Sequence, residues 1–242
     1  MSRTGDQFGG PAKQRSGWLI PFVVFVVTAA LSAVILAYYL LPRPPPFLAE
    51  QPAPTDSTQP VELSIGGIGF YIPANYILYA GARRGGALSE LAMVALLPGL
   101  EGYSLAAAQD FSSNTPDSRV VNIVIREDAL ALSDAGRLSR IYLPVAEASQ
   151  GTPAGFGVTA YGFRADSGYR DEELYVAQSD EGPMLLRCTK ADVNVPSPSC
   201  LGDISLGGRL VLAYRFKRAH LADWQAIEAG LSALAGAFMD KS

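Results

Sequence analysis

The most constraining feature of this chain is a run of 24 residues, Trp18 to Leu41, that holds no charge. Only Pro21, Thr28 and Ser32 in it fall outside the hydrophobic set. At 1.5 Å per residue it makes a helix of roughly 36 Å, enough to cross a hydrocarbon layer of about 30 Å with some tilt. Pro21 falls in the first turn, where a missing N–H costs least. Trp18 at one end and Tyr38 and Tyr39 near the other suit the two membrane–water interfaces. A cleaved leader has an apolar core of only about 7–15 residues and a small-residue cleavage site. Here the core is longer, and Leu40-Leu41-Pro42-Arg43 follows it. The expectation is an uncleaved transmembrane helix over residues 18–41, in contact with the lipid bilayer.

Arg3, Lys13 and Arg15 stand against Asp6 before this helix, and only Arg43 lies just after it. The positive-inside rule puts residues 1–17 in the cytoplasm as a tail too short to fold. In a bacterium the helix then sits in the inner membrane and the C-terminal part in the periplasm. Ala29, Ala33 and Ala37 recur every four residues, with Thr28 and Ser32 alongside. Small residues at that spacing allow close helix–helix approach, so they are the candidate contact within the membrane.

Residues 42–60 hold seven prolines. Such a segment favours extended polyproline geometry at about 3.1 Å per residue and reads as a spacer. Residues 61–242 carry 15 basic and 20 acidic side chains, a net −5. Their length suits one domain with its own core. The acidic balance and the absence of any recognisable module argue against a nucleic-acid partner.

Periodicity gives the elements. Val61, Leu63 and Ile65 alternate with polar residues, Gly66-Gly67 follows, then Ile68, Phe70 and Ile72. A two-residue turn pairs these residues in order and puts all six on one face. Leu91 to Leu97 and Val120 to Ile125 read as buried strands. Ser104 to Asp110 is a short helix, and Ser133 caps another that stops before Pro144. Gly157 to Phe163, Glu173 to Gln178 and Pro183 to Thr189 read as successive strands. Asp203 to Leu206 and Leu210 to Lys217 flank Gly207-Gly208. Two-residue closure there would set Ile204 opposite Val211 and split the apolar faces. The pattern therefore predicts a three-residue loop, Gly207-Gly208-Arg209, with a glycine bulge, pairing Leu206 with Leu210 and Ile204 with Leu212. Leu221, Trp224, Ile227, Leu231, Leu234, Ala235 and Phe238 recur at helical steps. The fold class is α+β: an N-terminal transmembrane helix plus one outer domain with a mainly antiparallel sheet and a C-terminal amphipathic helix packed on it.

Cys188 and Cys200 are the only cysteines. Outside the cytoplasm such a pair is oxidised, and its spacing is far from the Cys-x-x-Cys of redox sites. A structural disulfide is expected, closing a 13-residue loop for about 3 kcal/mol.

Catalytic signals are sparse. The single histidine, His220, excludes sites built on two histidines, including the common zinc motifs. No nucleophile elbow or Ser-x-x-Lys is present. No phosphate-binding glycine loop is present either, and no cofactor or metal is implied. Asp166, Asp171, Glu172, Glu173, Asp180 and Glu181 cluster along the sequence, and two facing carboxylates about 5–10 Å apart would serve glycan hydrolysis. Arg83-Arg84-Gly85-Gly86 is a candidate partner- or anion-binding loop, because guanidinium groups match carboxylate and phosphate. Two functional expectations follow. The first is a single-pass inner-membrane protein with a non-enzymatic periplasmic binding or assembly domain, accessory to an envelope complex through an envelope protein partner. The alternative is a periplasmic cell-wall glycan hydrolase using the carboxylates near 171–181.

Overall fold

A computed structural model describes residues 17–40, 50–128, 132–179, 182–191 and 195–239. The chain divides into two compact units, Met1–Ala49 and Glu50–Ser242. In the first, one helix, α1 (Leu19–Leu40), holds the apolar run. Its stretch Leu19–Ala37 is long and apolar enough to cross a membrane, and no residue in it is buried within the protein. A soluble fold would not leave Phe22, Phe25, Leu31 and Ile35 more than half exposed together.

The second unit opens with the predicted hairpin. β1 (Pro60–Ile65) and β2 (Ile68–Pro73) pair Val61 with Ile72, Leu63 with Phe70 and Ile65 with Ile68. Gly66 and Gly67 both adopt positive φ, as the tightest hairpin turn requires. Leu63, Ile65, Phe70 and Ile72 are fully buried, so turn geometry and apolar pattern agree. A short β3 (Gly86–Leu88) joins β1 in parallel and completes a three-stranded sheet.

The larger sheet has eight antiparallel strands. Beyond β4 (Glu90–Leu96), β5 (Val120–Glu127) and the two-residue β6 (Thr152–Pro153), it contains β7 (Val158–Gly162), β8 (Glu172–Ser179), β9 (Gly182–Thr189), β10 (Ser199–Gly207) and β11 (Leu210–Lys217). Their order is β4-β5-β11-β10-β9-β8-β7-β6. Two helical pieces cross between strands. One is α2 (Ala108–Ser112), after a turn capped by Ser104. The other is α3 (Asp134–Arg137), whose Ser133 cap accepts from Gly136 N at 3.2 Å. Beyond α3 the helical path widens over Leu138–Tyr142 and tightens over Leu143–Val145, so Pro144 sits inside the last turn instead of ending the helix before it.

The β10–β11 connection corrects one expectation. Ile204 does pair with Leu212, as the apolar faces demand. Closure is by two residues, however, with Gly207 opposite Leu210. A bulge between Ser205 and Gly207 leaves Leu206 without a register partner, so Leu206 does not pair with Leu210. The extra residue sits one position earlier than the glycine loop that was expected, and the same phase shift results.

The C-terminal helix α4 (Trp224–Met239) buries Trp224, Ile227, Leu231, Ala235 and Phe238. It packs against β2 and β10, and Phe238 meets Tyr76 edge-on at 5.1 Å. Ile227, Leu231 and Phe238 each contribute about 1.5–3 kcal/mol of apolar burial. The core joins the inward faces of β1, β2, β4, β5 and β11 to α4. β8 is covered on both faces. Tyr175 and Ala177 face this core, while Leu174 and Val176 join Phe163 in a second cluster under Tyr142 and Tyr169. That explains a continuous apolar run, Leu-Tyr-Val-Ala, where a half-exposed strand would alternate.

Between β9 and β10 the ladder is unusually short. Among the described residues only Cys200 with Cys188 and Leu201 with Arg187 are in register, whereas β10 and β11 share eight pairs. The disulfide joins Cys188 to Cys200 directly across this seam, with both residues fully buried.

Candidate functional site

A cleft of about 590 Å3 opens where α3, the β9 start and the β10–β11 hairpin meet α4. Arg137, the last residue of α3, lines it. Its Nη2 donates to Asp128 Oδ2 at 2.8 Å, and its Nη1 donates to Asp203 Oδ2 on β10. Asp134 Oδ1 stands 4.0 Å from Nη1. The two nitrogens of one planar guanidinium thus clamp the end of β5 to β10 in a fixed geometry. Arg209, at the hairpin tip, donates to the Asp128 carbonyl at 3.3 Å.

Carboxylates outnumber cations here, with Asp128, Asp134, Asp203 and Glu228 facing Arg137 and Arg209. Burial pushes the Asp134 carboxyl up to about 6; Arg137 opposes the shift and Asp203 adds to it. Burial also raises Glu228, against a hydrogen bond from Tyr214 Oη at 3.0 Å. The Tyr214 phenol is raised well above its ordinary range by burial and by Glu228. Such a wall favours an incoming cation, whose attraction would offset the mutual repulsion of the carboxylates. Among the described residues, no group of three or more histidine, cysteine or carboxylate side chains is arranged to hold a metal ion.

A second cleft, of about 510 Å3, is lined by Arg83, Arg84, Thr55, Ser57 and Gln59 together with Glu62. The two arginines occupy a single helical turn, Ala82–Arg84, between Gly81 and Gly85. Residues 50–59, sequence of spacer character, belong to this compact unit. Ala53 N donates to Leu78 O at 3.0 Å, and Gly81 N to Glu50 Oε1.

The remaining sequence candidates are scattered. Ala29, Ala33 and Ala37 lie four residues apart on α1, in the other unit. Glu172 and Glu173 are consecutive on β8 and point to opposite faces, so they do not confront each other. Glu172 Oε2 lies 2.6 Å from Arg187 Nε, an ion pair without aligned hydrogen-bond geometry. Glu173 accepts from Arg218 at 2.6 Å and from Tyr175 Oη at 2.9 Å. Asp166 and Asp171 are exposed and pair with Arg164 and Arg170. Asp180 and Glu181 lie outside the described residues. His220 Nε2 sits 3.2 Å from the carbonyls of Asp117 and Ser118, which gives it a loop-holding place ahead of α4.

Two arginines were missed by sequence reasoning. Arg137 finds acids at 128, 134 and 203, of which only Asp134 is a helix neighbour at i−3. Arg218 follows β11 and reaches Thr189 O on β9 at 3.1 Å as well as Glu173 and Tyr175 on β8. It is a polar tie across the seam that the disulfide closes. Burial and the Glu173 hydrogen bond push the Tyr175 phenol up to about 12.

The fold of this domain is shared with a solved structure. An immunity protein of the Stenotrophomonas maltophilia type IV secretion system has this fold with a TM-score of 0.51, at 16% identity over 74% of this chain and 93% of that one. The iron-regulated outer membrane lipoprotein FrpD of Neisseria meningitidis aligns over 76% of this chain and 96% of its own, at 15% identity and a TM-score of 0.46. No protein-family model and no curated protein matches the chain.

Proposed function

We propose that this chain is a non-enzymatic accessory protein of the bacterial envelope, fixed in the inner membrane by α1 and holding an envelope protein with its periplasmic domain. The observation that carries this reading is the union of two features in one chain: an exposed apolar helix of membrane-crossing length and a disulfide-bonded domain. The charge bias around the first helix supports a cytoplasmic N-terminus, and the disulfide suits an oxidising compartment. The acid-walled cleft around Arg137 is the surface offered to the partner, because a lysine or arginine from outside would balance its excess carboxylates. The small-residue face of Ala29, Ala33 and Ala37 is the matching contact within the bilayer. Purification of the full chain in mild detergent after growth in several conditions tests this. A stoichiometric second envelope protein is expected, and recovery of this chain alone in every condition would sink the reading.

The shared fold with a secretion-system immunity protein favours a second reading, in which the partner is a toxic effector that the domain blocks. In that case cells expressing the chain survive an effector delivered to the periplasm. Equal killing with and without the chain would dismiss it.

A further inference from the structure

The second cleft has a lopsided hydrogen-bonding chemistry. Thr55 Oγ1 accepts from Ser57 N at 3.3 Å, and Ser57 Oγ accepts from Gln59 N at 3.4 Å. Each hydroxyl uses its oxygen on the backbone, so its O–H remains available as a donor. Both residues are half-buried, while Asp56 between them is exposed. Arg83 turns Nη1 to the Ile77 carbonyl at 3.0 Å and keeps its other donors. Arg84 is exposed and has no ion-pair partner among the described residues. The one carboxylate lining the cleft, Glu62, is engaged at 2.9 Å by Tyr71 Oη. The turn that carries the arginines is held in place. Gly85 has φ +72°, and a Cβ there would lie 2.3 Å from the Glu62 carbonyl.

With donors in excess over acceptors, and two arginines against one carboxylate in its lining, the cleft suits a compact ligand rich in acceptor oxygens. We propose that this cleft binds a phosphate group, held by the guanidinium groups of Arg83 and Arg84 and the hydroxyls of Thr55 and Ser57. Tetrahedral phosphate offers four oxygens to such a set, and arginine meets them two at a time. The group comes either from the headgroup of an anionic lipid or from a free phosphate. This site is separate from the acid-walled cleft, so its failure would leave partner capture untouched.

The test uses the full chain in nanodiscs and hydrogen–deuterium exchange over residues 55–62 and 82–88. One arm compares phosphatidylcholine with a phosphatidylcholine–phosphatidylglycerol mixture. The other titrates inorganic phosphate into phosphatidylcholine discs against chloride at equal ionic strength. Protection by phosphatidylglycerol alone supports the site with a lipid source, and saturable protection by inorganic phosphate supports it with a free source. Arg84→Gln, which breaks no contact of the fold, should weaken that protection about tenfold, and Arg84→Lys should weaken it less. No protection in either arm, or protection unchanged in Arg84→Gln, would overturn the proposal.

Discussion

Removing the disulfide tests how the large sheet is held together. The Cys188→Ala/Cys200→Ala double variant releases a loop of sequence separation 12 in the unfolded chain. Loop-closure entropy puts that release at about 3 kcal/mol. In a domain of this size 1 kcal/mol moves the melting temperature by about 2–4 °C, so a fall of roughly 6–12 °C is expected. The location of the loss is the sharper part of the prediction. With only two register pairs joining β9 to β10, the covalent bond replaces much of what a longer ladder would supply. The strands β6 to β9 should therefore loosen before β4, β5, β10 and β11. Trp224, buried at 4% exposure, reports global unfolding by fluorescence in a Trp18→Phe background. Amide exchange along Gly182–Thr189 reports the seam. Reduction of the unmodified chain should reproduce both effects. A melting temperature lowered by less than about 3 °C, with exchange unchanged on the two sides of the seam, would mean that the bond does not hold the seam.

Three further outcomes follow from the clefts. Arg137→Ala leaves Asp128 and Asp203 without their shared partner, and loss of about 3–5 kcal/mol is expected by chemical denaturation; a loss below about 1 kcal/mol would contradict the clamp. Asp134 holds its proton more tightly folded than unfolded, so its ionisation lowers stability as pH rises from about 4 to 6, with no further change above. Asp134→Asn should accordingly match the parent chain near pH 4 and exceed it by about 2 kcal/mol at pH 7, whereas a difference independent of pH would contradict the burial of this carboxyl. Gly85→Ala forces a left-handed residue against the Glu62 carbonyl and should cost about 1–3 kcal/mol, read as faster exchange in β1 and β3; unchanged exchange there would count against a held arginine turn.

Local pairing was legible because two short-range rules coincide. In the β1–β2 hairpin, period-two alternation and the Gly66-Gly67 turn fix the register independently and agree. In β10–β11 they conflict, and the conflict itself announced a bulge, although the glycines drew attention away from Leu206 as the extra residue. The order of the eight strands was not legible. β5 meets β11 across more than eighty residues, and nothing local selects that partner; the choice is made by the summed fit of Ile123, Ile125, Leu212 and Tyr214 in one core. The Arg137 clamp was hidden for the same reason, since Asp128 and Asp203 become neighbours only once β5 and β10 flank β11. The Arg83-Arg84 turn was visible from sequence, but the hydroxyls facing it were assigned to a spacer, so the cleft was not.

Photo-cross-linking in intact cells from position 135 tests whether the domain Glu50–Ser242 captures an envelope protein. Ala135 is exposed and lines the acid-walled cleft. One dominant adduct joining this chain to an envelope protein is expected, weakened when Asp134 and Asp203 are both replaced by lysine. Adducts only with cytoplasmic proteins, or none at all, would contradict that capture.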